Sequence, residues 1–258
     1  MRVPVVQHRS RRRRALRRRA LWTGGEFLVT AGVVLLLLVV HELWWTNREA
    51  RQGAEHQVQA LERQWATPGA VSDDTPSADT GLAGGSSPRR STSADGSATA
   101  TGSAATPYRS QAYAILTIPR LHLRVPIAEG VSKQNVLNKG YVGHYPGTQQ
   151  PGQAGNFALA GHRNTHGEPF RYLPRLRLKD TVQVETRTTV FTYTVDEILP
   201  QTSAADSGVI RPVPRSTVKP AYGYSRPGYY VTLTTCTPEF TSRYRMVVWG
   251  TLTSTRPR

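Results

Sequence analysis

One cysteine in 258 residues excludes any disulfide within the chain, so no covalent cross-link holds the fold together. The histidines and the cysteine show none of the paired spacing of a zinc site, so neither a metal nor another cofactor is expected. Acidic residues are scarce, 17 against 33 basic ones, and form no cluster suited to calcium. Residues 67–107 are almost free of large apolar side chains. Such a stretch cannot bury enough surface to offset the entropy of ordering. No internal repeat is visible.

The positive charge is unevenly placed. Residues 1–26 hold nine arginines and one glutamate, with the densest run at 9–19. Alone, such a run binds nucleic acid or an anionic lipid surface. Here an apolar stretch follows at once. Its uncharged part, 27–40, is short for a span of about 20 residues. Counted over 21–45 it is long enough, with Glu26 and Glu42 near its ends and Trp22, Trp44 and Trp45 where interfacial aromatics belong. A cleaved signal peptide is the rival, but it needs a small-residue cleavage site, and the segment after residue 40 offers none. The expected layout is a basic cytoplasmic tail (1–20), a single membrane anchor (21–45) and everything beyond it outside the cell. A nucleic-acid partner is then not expected.

Residues 46–66 read as a juxtamembrane helix, with Ala54, Val58, Leu61 and Trp65 on one face. That face either extends the anchor helix or meets a partner. Residues 67–107 read as a disordered linker with a reach on the order of 35 Å, enough for a tethered domain to range over a wall-facing zone.

From residue 108 to 258 the composition becomes that of a folded, mostly β domain. Strand-like runs recur at 112–118, 123–127, 156–161, 181–185, 190–198, 229–235 and 244–252. Phe191, Tyr193 and Val195 alternate with polar residues as in a half-buried antiparallel strand. Short helices are expected at 132–139 and 169–176. Many short strands with one or two small helices indicate a closed barrel or a sandwich.

Cys236 stands at the end of the strand-like run YYVTLTT, before a loop that begins at Pro238. A strand end beside a loop holds a side chain firmly and leaves it reachable. With no partner for a disulfide, the thiol is an intermolecular partner, a reactive group or simply a small buried hydrophobe. Arg245 opens the returning apolar run. If the two runs pair, its guanidinium lies near the thiol, where it favours a thiolate and can stabilise an oxyanion. Arg243 has the same strand parity and competes for this role. A general acid is also needed, and four histidines are available: His122, His144, His162 and His166. His162 ends a strand and begins a loop, the same kind of position as Cys236. His166 lies deeper in a glycine-containing loop, His144 in a turn and His122 among alternating apolar residues.

Thr232, Leu233, Thr234, Thr235 and Cys236 resemble the TLxTC signature of the sortases, cysteine transpeptidases of Gram-positive cell surfaces. The run from Arg245 to Gly250 is similar to the arginine-bearing strand of that family, and Ala160, Gly161 and His162 to its histidine segment. Residues 143–148 and 151–157 look like the class E housekeeping sortases of high-GC bacteria. The likeness covers roughly 112–252. It implies an eight-stranded sortase-type β-barrel with Cys236, His162 and Arg245 as catalytic residues. It also implies cleavage between Thr and Gly of a Leu-Ala-x-Thr-Gly or Leu-Pro-x-Thr-Gly sorting signal, with a lipid-linked peptidoglycan precursor as acceptor. Thr234 and Thr235, beside the nucleophile, and Tyr222 and Tyr224, in the long 200–228 connection, are candidate substrate contacts. An L,D-type transpeptidase would carry glycine in place of Thr235. A non-catalytic, membrane-anchored β-barrel binding module remains the alternative of a different class.

Overall fold

The computed structural model describes residues 9–66 and 111–258. The linker reading for 67–107 lies outside them, as do residues 1–8 of the basic tail. Helix α1 spans Arg9–Ala66 without a break. Eight strands follow: β1 (Ala112–Ile118), β2 (Leu123–Glu129), β3 (Val142–His144), β4 (Gly155–Ala160), β5 (Thr181–Glu185), β6 (Thr189–Ser203), β7 (Tyr229–Thr237) and β8 (Tyr244–Pro257). They close into a barrel in the order β1-β2-β3-β4-β7-β8-β6-β5. Two pairings, β2 with β3 and β4 with β7, are parallel and the rest antiparallel.

The two-residue alternation of the strands divides their side chains between interior and exterior. Leu116, Ile118, Phe157, Leu159, Tyr193, Val231, Leu233 and Val248 fill the barrel. A smaller apolar cluster of Leu199, Val209, Val247 and Trp249 lies on the outer face, under the β6–β7 connection. Asp206 pins that connection. Its buried carboxylate accepts hydrogen bonds from Thr202 Oγ1, Ser216 Oγ and both the amide and the hydroxyl of Thr217. Burial pushes its pKa up, but the bonds from Ser216, Thr202 and Thr217 outweigh that and hold it below the usual carboxylate value.

Two expected helices are only 3-10 turns. In 132–139 the helical part shrinks to Leu137–Lys139, because Val136 leaves helical geometry so that it and Leu137 can pack with Ala128 and Ala160. In 169–176 only Leu173–Arg175 is helical. Phe170, Leu173 and Leu176 are buried at spacings of three, and the amides of Leu173 and Leu176 each donate a hydrogen bond to the carbonyl three residues back. That is the 3-10 period, in which i and i+3 eclipse. Strand β3 has no counterpart in the sequence reading. Three residues containing Gly143 give too little alternation to register.

The apolar part of α1 is long enough to cross a membrane, with mean hydropathy 2.2 and no burial in its most apolar window. Further along, Ala50, Ala54, Val58 and Leu61 are buried at helical spacing. Val58 and Leu61 pack with Ala112 and Ile115 of β1, each contributing about 1.5–3 kcal/mol. The face found in 46–66 therefore meets this chain's own barrel.

Candidate active site

Cys236 and Arg245 are direct partners in the β7–β8 register. Thr232, Thr234 and Cys236 alternate with core residues Val231 and Leu233, so they share the outer face of β7. The pairing of parallel β4 with β7 sets Ala160 beside Thr234, and His162 lies two residues further on, as Cys236 does. Both neighbours of His162 are fastened to the cysteine strand. The Gly161 amide donates to Thr234 O (3.2 Å) and Gly161 O accepts from Thr235 Oγ1 (2.8 Å). Arg163 donates to Cys236 O (3.2 Å) and to Thr237 Oγ1 (2.9 Å). Cys236, Arg245 and His162 thus stand at one rim of the barrel, and Cys236 is only half-buried.

Gly161 explains part of this placement. A Cβ there would come within 2.7 Å of the Phe170 ring, so any side chain would displace the strand end that carries His162. The imidazole is supported on two sides: Nε2 lies 2.9 Å from Asn138 Oδ1, and the His166 ring stacks at 5.4 Å. Burial, then the neighbouring His166 and Lys133, push the His162 pKa down to about 4. At neutral pH the ring is uncharged and able to take a proton. Burial also lowers the pKa of His166.

The remaining candidates separate clearly. His144 is 1% exposed, with both ring nitrogens engaged by Glu129, Thr148 and Gln149. It lies in β3, not in a turn. His122 is exposed in the turn between β1 and β2. Arg243 is exposed outside β8 with its guanidinium over the Tyr244 ring. Arg245 Nη1 donates hydrogen bonds to Ser242 O and Tyr244 O, and Arg245 lines a cleft of about 220 Å³ with Tyr145, Val209, Ile210 and Thr234. This cleft runs from the rim under the β6–β7 connection.

Of the candidate substrate contacts, Thr234 borders the cleft, and its hydroxyl donates to Leu159 O and meets Tyr145 Oη. The Thr235 hydroxyl is committed to Gly161 O and is 2% exposed, so it acts on the histidine strand instead of facing the cleft. Tyr222 packs on the outer cluster around Trp249. Tyr224 stacks on Tyr230 at 4.0 Å and donates to Asp196. Tyr230 is six strand residues from Cys236, about 20 Å away, so Tyr224 stands apart from the rim. The sequence reading missed Asn138, Arg163 and Tyr145. Arg163 directly follows His162, but neither its charge nor its spacing marks it as a strand clamp. Among the described residues no group of His, Cys, Asp and Glu could hold a metal ion.

A closed barrel with a reachable cysteine beside an arginine and a strand-end histidine defines a class of cysteine-dependent acyl-transfer folds. The family description "Sortase domain" matches residues 116–253. The chain belongs to the sortase family of cysteine transpeptidases. Sortase SrtE1 of Streptomyces coelicolor is 43% identical over 243 residues, covering 91% of this chain and 57% of its own length. Sortase SrtE2 of the same organism is 32% identical, covering 90% of this chain and 81% of its own. The crystal structure of Sortase E1 from Streptomyces coelicolor, with a tripeptide in the active site, superposes with TM-score 0.54 at 52% identity. That match covers 58% of this chain and 92% of the other. This chain therefore spans little more than half the length of SrtE1.

Proposed function

We propose that the chain is a membrane-anchored transpeptidase in which Cys236, His162 and Arg245 act together on a sorting signal of the Leu-Ala-x-Thr-Gly or Leu-Pro-x-Thr-Gly type. The observation that carries this reading is the direct Cys236–Arg245 cross-strand pairing at the rim that His162 also borders. The sulfur of Cys236 attacks the threonine carbonyl carbon while its proton passes to neutral His162. Arg245 donates hydrogen bonds to the oxyanion. The tetrahedral adduct collapses as the C–N bond to glycine breaks, and His162 returns the proton to the departing amine. The resulting thioester is then attacked by the amine of a lipid-linked peptidoglycan precursor. His162 takes the excess proton of that amine, and the thiol is regenerated.

The peptide lies in the cleft between Arg245, Thr234 and the β6–β7 connection. The apolar part of α1 is an uncleaved anchor with the arginine-rich end in the cytoplasm and the barrel outside. Retention is supported by residues 50–61, which are part of the barrel's own packing. The test uses the full chain in detergent, both peptides and a glycine-based amine, with mass spectrometry. A thioacyl adduct on Cys236 and an exchanged product are expected with at least one peptide. Absence of both adduct and product with both peptides overturns the reading.

A further inference from the structure

The loop that carries His162 is fastened to the anchor helix. Asn47 Oδ1 accepts from the Gly167 amide (3.3 Å), and Asn47 Nδ2 donates to Glu168 Oε1 (3.0 Å). Arg51 Nε donates to Gly167 O (3.1 Å), and its Nη2 to Glu168 Oε2 (2.8 Å). Two side chains, one helical turn apart, thus meet both backbone groups of Gly167 and both carboxylate oxygens of Glu168. The Glu168 side chain is 3% exposed, and Arg171 also pairs with it.

The turn held in this way is one the chain would not adopt freely. His166, Gly167 and Glu168 have φ of 52°, 82° and 53°, three consecutive left-handed residues of which two carry side chains. Such geometry persists only where its surroundings over-determine it. Its result is the stacking of His166 on His162. The other support of His162, Asn138, sits in the 3-10 turn that ends at Gly140, and Gly140 lies against the helix backbone. A Cβ at Gly140 would be 2.6 Å from Ala50 O. Asn47, Ala50, Arg51 and Ala54 form one helical stripe. Both neighbours that fix the His162 ring therefore rest on the same face of α1.

We infer that Asn47 and Arg51 are positioning residues for His162: the helix clamps the 166–168 turn, the turn sets the His166 ring, and that ring with Asn138 fixes the catalytic imidazole. The helix thereby becomes part of the catalytic apparatus as well as an anchor. The kinetic consequence rests on the transpeptidase reading; the structural consequence does not.

The experiment compares the full chain in detergent with Asn47→Ala/Arg51→Ala, with Arg51→Lys, and with Glu62→Ala. The last removes the helix's ion pair to Arg124 (2.7 Å), a similar contact away from the histidine loop. NMR of ring-labelled histidine reads the His162 and His166 signals at one pH, assigned with His162→Gln and His166→Gln. Both signals should move in the double variant, and move in the same direction in Arg51→Lys, which keeps a charge for Glu168 but cannot bridge to Gly167 as well. They should stay in place in Glu62→Ala. For peptide cleavage, kcat should fall on the order of 10- to 100-fold in the double variant, with KM within about twofold. Unmoved signals in the double variant, or equal movement in Glu62→Ala, overturn the inference. If the signals move as expected while the unsubstituted chain cleaves neither peptide, the clamp stands and the transpeptidase reading fails.

Discussion

Cys236 and Arg245 face one another across β7 and β8, so each can be altered with little effect on the core beneath them. Cys236→Ala removes one sulfur from a half-exposed site. It should abolish thioacyl formation and leave the thermal midpoint nearly unchanged, as read by mass spectrometry and calorimetry. Arg245→Lys keeps the charge but loses the planar donor fork. Turnover should drop on the order of 100-fold; near-normal turnover would transfer the oxyanion role to another donor. The His162 pKa makes a prediction of definite sign. In the proposed mechanism the neutral imidazole accepts the thiol proton, and burial, then His166 and Lys133, push its pKa down to about 4. Where His162 sets the acid limb of the kcat/KM profile, that limb should fall near pH 4, well below the ordinary histidine value. A limb near 6.5 would mean that the ring rests in a more solvated position.

At the scale of the element, the β6–β7 connection forms one wall of the cleft, and the Asp206 knot holds it. Asp206→Ala leaves the Ser216, Thr202 and Thr217 donors without their acceptor, which should cost about 2–3 kcal/mol, measured by urea unfolding at neutral pH. Because the carboxyl is held below its unfolded value, its contribution is complete above that value and fades as pH falls through the folded one. Exchanging the connection for that of a sortase with another motif preference should shift the ratio of the two peptides cleaved; an unchanged ratio would remove the connection from recognition. Alternation made strands legible where it reports one buried face, as in β5 with Val182 and Val184 inward, while β1 was legible as a continuous apolar run buried on both faces. Strand ends flanked by loop residues gave Cys236, His162 and Arg245 as candidates, but position alone left four histidines and two arginines open, and only the resemblance to the sortase motifs chose among them. Less was legible where tertiary packing overrides local preference. Val136 leaves a helical course for a satellite core, β3 exists only through its neighbours, and Asn138 reaches His162 by a turn that no local pattern marks.

At the scale of the molecule, if the apolar part of α1 is the anchor proposed above, α1 sets the position of the barrel relative to the bilayer. The helical residues that precede position 67 are packed on the barrel through Ala54, Val58 and Leu61. In the proposed arrangement, the distance from the anchor is therefore set by helix geometry. Asn47 and Arg51 follow Trp45 by two and six residues, about 3–9 Å along the axis. They contact the loop of His162 directly. If Trp44 and Trp45 mark the outer interface, the rim with Cys236 is held within a turn or two of the lipid headgroups, where the proposed lipid-linked acceptor would present its amine. Seven helical residues inserted between Trp45 and Thr46 would raise the rim by about 10 Å without touching the clamp. In proteoliposomes this variant should cleave a soluble peptide at the normal rate and transfer it to a soluble amine, but lose transfer to the lipid-linked acceptor. Equal loss with both acceptors would mean that the insertion had disturbed the site itself. Full transfer to the lipid-linked acceptor would mean that height above the membrane is not what the docked helix controls.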